Sequence, residues 1–253
     1  MRRTVQGIVL REINYKEADK ILTVLTREEG KLTLKARGCR RKNSRLLASS
    51  QLLVYSELAI TQRGEFITLA EGDPLTQFWR LGEDIDKLAL ASYFAEVTEK
   101  TVQEGEVCPD ILSLLLNCLY ALDTLDKPLE QVKAVFQLRL LTLTGLAPLL
   151  DTCVVCGNPQ PEEPRLHLLQ GVLHCAACRT QVGDGVSMPL SPAALAAARY
   201  IVAGEAKKLF SFSLTPEACK QLDQVTEAFL MTQQERGFRT LDYYKQLRRQ
   251  SFS

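Results

Sequence analysis

Histidine is almost missing from this chain: only His167 and His174 occur among 253 residues. That scarcity leaves no material for a histidine-built catalytic metal site. Long apolar runs are missing too. Nothing reaches the ~18 consecutive apolar residues needed to span a bilayer. The nearest stretches, Ile111 to Leu122 and Leu140 to Leu150, are broken by Asn117 and by Gly145 and Pro148. The opening Met1-Arg2-Arg3-Thr4-Val5 leads into a strand pattern instead of a signal-peptide apolar core. No membrane association and a cytoplasmic location are therefore expected. The phosphate-cradling pattern Gly-x-x-x-x-Gly-Lys-Ser/Thr is absent. No carboxylates gather on an evident shared face, and pairs such as Asp84 and Asp86 suit an ordinary helix surface. A chain without either feature is expected not to be an enzyme. One further absence is local: no acidic residue lies between Glu29 and Glu57.

Cysteine is present, and four of the eight are spaced. Cys153 and Cys156, then Cys175 and Cys178, form two Cys-x-x-Cys pairs separated by 18 residues. Each pair can bend so that both sulfurs face one point, and a hairpin between them brings four thiolates together. Soft thiolates in a tetrahedron suit one Zn²⁺ ion, held for structure, because a closed four-sulfur set leaves no open position for catalysis. The neighbouring residues agree. Gly157-Asn158-Pro159 makes a turn, Arg165 to Leu169 is a short strand, Gln170-Gly171 turns, and Val172-Leu173-His174 delivers Cys175. His174 is a further candidate ligand, but with four cysteines present it is expected to be a neighbour of the site. Redox dithiols and two disulfides are the other readings, against which stand the lack of a thioredoxin-like βαβ pattern and of a secretory signal. Cys39, Cys108, Cys118 and Cys219 show no partner spacing, and Cys118 suits a helix core.

The acid-free interval carries Lys31, Lys35, Arg37, Arg40, Arg41, Lys42 and Arg45. Net charge is only +1, yet residues 1–80 hold 15 Lys and Arg against 9 Asp and Glu, and the rest holds 16 against 21. A basic first third joined to a mildly acidic remainder points to a polyanionic partner for the first part. The underlying pattern is of strands: Thr4 to Tyr15, Asp19 to Thr26, Lys31 to Lys35, Leu52 to Thr61 and Phe66 to Glu71. Five strands with a longer third connection have the layout of an OB-fold barrel. The composition of Arg37-Gly38-Cys39-Arg40-Arg41-Lys42-Asn43-Ser44-Arg45 makes it a loop. Clustered cations repel one another, and a nucleic-acid backbone relieves that repulsion while releasing its own counterions. Contacts of this kind tolerate any sequence. Tyr15, Tyr55 and Phe66 are aromatics able to stack on bases, although such residues more often pack a barrel.

From Leu81 the period changes to about 3.6. Leu81, Ile85, Leu88, Ser92 and Ala95 form a first stripe; Pro109-Asp110 opens a second helix; Pro128 opens a third, capped by Gly145. Ser191-Pro192 and Thr215-Pro216 start further helices, the last running to about Arg236. The expected architecture is α+β and multidomain. An OB-fold nucleic-acid-binding barrel occupies 1–80, and an all-α domain occupies 81–253, with the Cys₄ zinc module inserted at 151–187.

Several stretches resemble the bacterial DNA repair protein RecO family. Gly7-Ile8-Val9-Leu10, Tyr15 to Ile21 and Thr26 to Lys31 resemble its opening strands, and Lys35 to Arg45 its basic loop. Gly145 to Leu149 running into Cys153-Val154-Val155-Cys156-Gly157, with Cys175-Ala176-Ala177-Cys178, resembles its zinc module, and Phe238-Arg239-Thr240-Leu241 its C-terminal end. Gln51-Leu52-Leu53 departs from the expected Gln-Pro-Phe-like step. The resemblance implies a nucleoid-associated recombination mediator that binds single- and double-stranded DNA and anneals complementary strands. It further implies partnership with RecR, contact with the acidic C-terminal tail of single-stranded DNA-binding protein (SSB), an indirect link to RecF, and help in loading RecA. Lys127, Lys133 and Arg139 beside Phe136 offer one place for that acidic tail. The competing reading is a zinc-stabilised protein-interaction adaptor whose basic loop meets an acidic protein.

Overall fold

The computed structural model describes residues 2–250, which divide into two compact units. One unit contains residues 1–124 and 238–253, the other 125–237. Among the described residues, no helix is long and apolar enough to cross a membrane.

The first unit is built on five strands: β1 (Arg2–Tyr15), β2 (Asp19–Thr26), β3 (Gly30–Ala36), β4 (Tyr55–Arg63) and β5 (Phe66–Thr76). They close into a barrel in the order β1-β2-β3-β5-β4, the arrangement expected of an OB-fold. Closure depends on the length of β1, which pairs β4 through residues 2–8 and β2 through residues 7–15. Gly7 serves both partners. A Cβ there would stand 2.7 Å from Val24 Cγ1 and 2.9 Å from the Leu25 carbonyl, so only glycine permits the crossing. Inward positions Val5, Val9, Leu22, Val24, Leu34, Leu58, Ile60 and Leu69 fill the barrel.

Three α-helices, α1 (Ile85–Thr101), α2 (Pro109–Thr124) and α6 (Arg239–Gln250), and a 3₁₀ turn at Trp79–Glu83 join the barrel in this unit. Pro109 and Asp110 begin α2 as expected, and Leu112, Leu115, Leu119 and Leu122 are buried. The stripe expected on α1 holds only in part: Leu81, just before the helix, and Ala95 are buried as expected. Ile85 is exposed and Leu88 and Ser92 are half-buried, while Ala89, Leu90, Tyr93, Phe94, Val97 and Thr98 are buried. The cause is that α1 packs against β1, α2 and α6 together, so it is covered over most of its circumference instead of along one stripe. The α6 helix was not expected at all.

The second unit contains α3 (Leu129–Leu143), α4 (Pro192–Ala203) and α5 (Pro216–Gln234), with a three-stranded sheet of β6 (Arg165–His167), β7 (Val172–His174) and β8 (Ser187–Pro189) in the order β7-β6-β8. The expected caps are present. Ser191 Oγ accepts from the Ala194 amide at 3.2 Å and Thr215 Oγ1 from the Ala218 amide at 3.4 Å. Gly145, at φ +79°, closes α3: its amide reaches the Thr142 carbonyl, and the Leu146 amide reaches Leu141 O at 2.8 Å.

Candidate nucleic-acid interface and metal centre

The basic loop leaves β3 at Ala36 and returns to β4 at Tyr55. It is a chain of turns pinned at several points. Gly38 adopts φ +62°, a conformation natural to glycine, and donates its amide to Asp19 Oδ1 at 2.8 Å. The Gly38 N–H and, behind it, the Lys35 ammonium hold the Asp19 carboxyl below its usual range against the opposing effect of burial. Arg40 N–H donates to the Ala18 carbonyl at 3.0 Å, Ser44 N–H to Arg41 O at 2.9 Å, and Lys20 Nζ to Ser50 O at 3.3 Å. Cys39 and Leu46 are buried in the barrel core, so the cations between them are held on a fixed frame.

The seven expected cations divide into two sets. Arg37, Arg40, Arg41, Lys42 and Arg45 are exposed, and none of the five has a carboxylate within salt-bridge distance among the described residues. Arg40 Nη1 does donate to the Glu17 carbonyl at 3.2 Å. The other two are engaged internally. Lys31 Nζ donates to the carbonyls of Glu99 and Val102 at the end of α1, where cations are favoured. Lys35 Nζ stands 3.6 Å from Asp19 Oδ2 and 4.7 Å from the centre of the Tyr15 ring, a cation–π contact.

The β1–β2 register sets Tyr15 opposite Asp19, and β2–β3 sets Lys20 opposite Ala36, so Tyr15 shares the barrel end from which the loop departs. Phe66 is exposed on the β4–β5 hairpin, opposite Arg63. Tyr55 is half-buried, with its hydroxyl donating to Gln6 Oε1 at 3.2 Å.

The four spaced cysteines converge. The sulfurs of Cys153, Cys156, Cys175 and Cys178 all lie within 4.8 Å of one another, a donor set for a metal ion, with Cys156 and Cys175 3.6 Å apart. Two local folds bring them there. Gly157, at φ +72°, lets its amide bond back to the Cys153 carbonyl at 2.9 Å, while Cys153 N–H meets Asn158 O at 2.8 Å. The β6–β7 hairpin then delivers the second pair, and the Cys175 amide donates to Cys153 Sγ at 3.4 Å. Burial alone would raise the Cys153 thiol, but the amides of Cys156, Cys175 and Val155 bring it down to about 6. Cys175 is pushed up to about 12, first by burial and then by the sulfurs of Cys156 and Cys153. Crowded thiols that oppose each other's ionisation are the electrostatic condition that a bound cation relieves.

His174 is not part of this set. It is fully buried, with Nδ1 at 2.8 Å from Cys175 O and Nε2 at 2.9 Å from Ser187 Oγ. The place suggested for an acidic tail is also closed. Phe136 is buried, Lys133 is buried and pairs with Asp223 and Glu227, Arg139 donates to Val202 O at 2.7 Å, and Lys127 donates to Phe212 O at 2.9 Å. Charge spacing on α3 gave no sign that α4 and α5 would pack over those positions. The anchors Asp19, Cys39 and Leu46 were equally hidden, since their roles come from strand register and not from any motif.

A family model described as "Recombination protein O N terminal" matches residues 1–78, and one described as "Recombination protein O C terminal" matches residues 82–242. The chain is 30% identical over 243 residues to the DNA repair protein RecO of Acetivibrio thermocellus, covering 96% of each sequence. It is 30% identical over 247 residues to that of Symbiobacterium thermophilum, covering 96% of this chain and 97% of the relative. With the DNA repair protein RecO of Bacillus pumilus it shares 31% over 226 residues, 88% and 86% of the two chains. A closed five-stranded barrel, a helical region and matches along nearly the whole length lead to one conclusion: the chain belongs to the recombination protein O family.

Proposed function

We propose that this protein is a non-enzymatic, cytoplasmic recombination mediator. It binds single- and double-stranded DNA through phosphate contacts and anneals complementary strands. With RecR it helps RecA onto strands coated by SSB. The observation that carries this reading is the set of five exposed cations, Arg37, Arg40, Arg41, Lys42 and Arg45, without salt-bridge partners among the described residues, on a loop anchored to the barrel. Two DNA backbones repel each other as they approach, and a rigid cationic rim that screens both lowers that barrier without breaking a bond. Membership of a family whose relatives are named for DNA repair supports the same role.

The Cys₄ group is assigned one structural Zn²⁺. Tetrahedral zinc–thiolate bonds of about 2.3 Å require sulfurs about 3.8 Å apart, close to the 3.6 Å between Cys156 and Cys175. Four thiolates fill the coordination sphere, so the ion supplies folding energy to the module.

The test is charge reversal. Arg40→Glu, Arg41→Glu and Lys42→Glu together abolish measurable oligonucleotide binding in an electrophoretic shift assay, with the urea midpoint unchanged because all three side chains are exposed. For the unaltered protein, affinity for single strands falls by up to about 3.5 log units per log unit of salt, at ~0.7 for each of the five cations. A flat salt response would overturn the reading.

A further inference from the structure

Trp79 is the only tryptophan in the chain, and 75% of it is exposed. An exposed indole offers a flat aromatic face with a polar N–H at its edge. It lines a small cavity of about 170 Å³ together with Phe78, Gln77 and the segment Gln51–Val54. The β4–β5 register explains the meeting. Tyr55 pairs with Thr76, so the residues entering β4 lie beside those leaving β5. The cavity wall is held firmly. Leu53 takes a left-handed backbone at φ +63°, fixed by its amide on Val9 O at 2.9 Å and by the Val9 amide on Val54 O at 3.3 Å.

That wall is the C-terminal end of the basic loop. From Ser44 onward the chain coils in continuous turns: Leu47 N–H to Ser44 O at 3.2 Å, Ser50 N–H to Leu46 O at 3.0 Å, Gln51 N–H to Ala48 O at 3.2 Å. Arg45 lies six residues before Gln51 in this run of turns. The exposed cation Arg45 and the cavity-lining Gln51 thus belong to the same loop. Gln51 and Gln77 add uncharged amides to the cavity lining, groups that donate or accept toward any base edge. The acidic Glu83 and Asp84 follow in the chain, and Asp84 is committed to capping α1, accepting from the Asp86 and Lys87 amides.

We propose that this cavity takes one unpaired nucleobase, stacked on the Trp79 indole, from a strand whose phosphates lie on the basic loop. The assignment rests on the DNA-binding reading above and adds a strand preference to it. A cationic groove with an aromatic platform is the general device for single strands, whereas a duplex keeps its bases stacked on one another.

Trp79 is its own reporter. On titration of the full-length protein with fluorescein-labelled oligothymidylate, tryptophan emission is quenched in step with the rise in fluorescein anisotropy. Trp79→Ala weakens single-strand binding at least fivefold and duplex binding less than twofold, and Trp79→Phe restores most of the loss. Anisotropy that rises while emission and the Trp79→Ala affinity stay unchanged overturns the nucleobase assignment and leaves DNA binding standing. The same result joined to loss of a protein partner by Trp79→Ala would reassign the surface to protein docking. Failure of any oligonucleotide to bind at low salt sinks both readings together.

Discussion

Lys133 sits on α3 with 3% exposure, its ammonium 2.6 Å from Glu227 and 3.1 Å from Asp223. One cation cannot fully compensate two half-buried carboxylates. Burial pushes the Asp223 carboxyl up to about 7, the Lys133 charge pulling the other way and Glu227 and Glu130 adding to the rise. An unfolded aspartate titrates near ~3.9. Between those two values the folded state holds more protons than the unfolded state, so stability is greatest at the acid end of the window and declines as pH rises through it. Urea midpoints measured from pH 5 to pH 8 are expected to fall, and Asp223→Asn is expected to flatten that slope. A slope identical in the two proteins would show that Asp223 is ordinary. Nothing in the sequence around Asp223 announced this, because the pair forms across elements about ninety residues apart.

At the scale of elements, α6 separates what is legible from what is not. The starts of α2, α4 and α5 carry Pro and capping residues that declare themselves locally. The start of α6 declares nothing of the kind; it is tied to α1, where Glu96 Oε2 accepts from both the amide and the hydroxyl of Thr240. Just before it, Phe238 is 2% exposed and meets Tyr93 edge-on at 5.8 Å between centroids. Phe238→Ala is expected to cost about 3–5 kcal/mol in urea unfolding. A loss below about 1 kcal/mol would mean that α6 is a minor appendage. The incomplete stripe on α1 has the same origin: a helix covered from several sides buries more positions than a single stripe predicts.

For the whole molecule, the charge division of the sequence is redistributed by the fold. The unit formed by residues 1–124 and 238–253 carries 21 basic and 19 acidic residues; the unit of residues 125–237 carries 10 and 11. The contrast between a basic and an acidic part thus falls mainly inside the first unit, between barrel and helices, and not between the units. The basic loop and the Cys₄ cluster also fall in different units. If the Cys₄ group holds the proposed ion, Cys175→Ser is expected to lower a calorimetric transition while leaving oligonucleotide affinity within about threefold, since loss of such an ion removes folding energy from its own module. Equal loss of both would show that the Cys₄ module takes part in DNA binding.

Much of the barrel and the metal cluster was determined by the sequence alone, because alternation of apolar residues, turn glycines and Cys-x-x-Cys spacing act over a few neighbouring residues. The tertiary structure alone decided which of seven cations stay exposed, which faces of α1 and α3 vanish into contact, and what lies beside Trp79. Those outcomes depend on strands and helices that meet from distant parts of the chain. Burial and charge compensation there are properties of the meeting, and no local pattern encodes them.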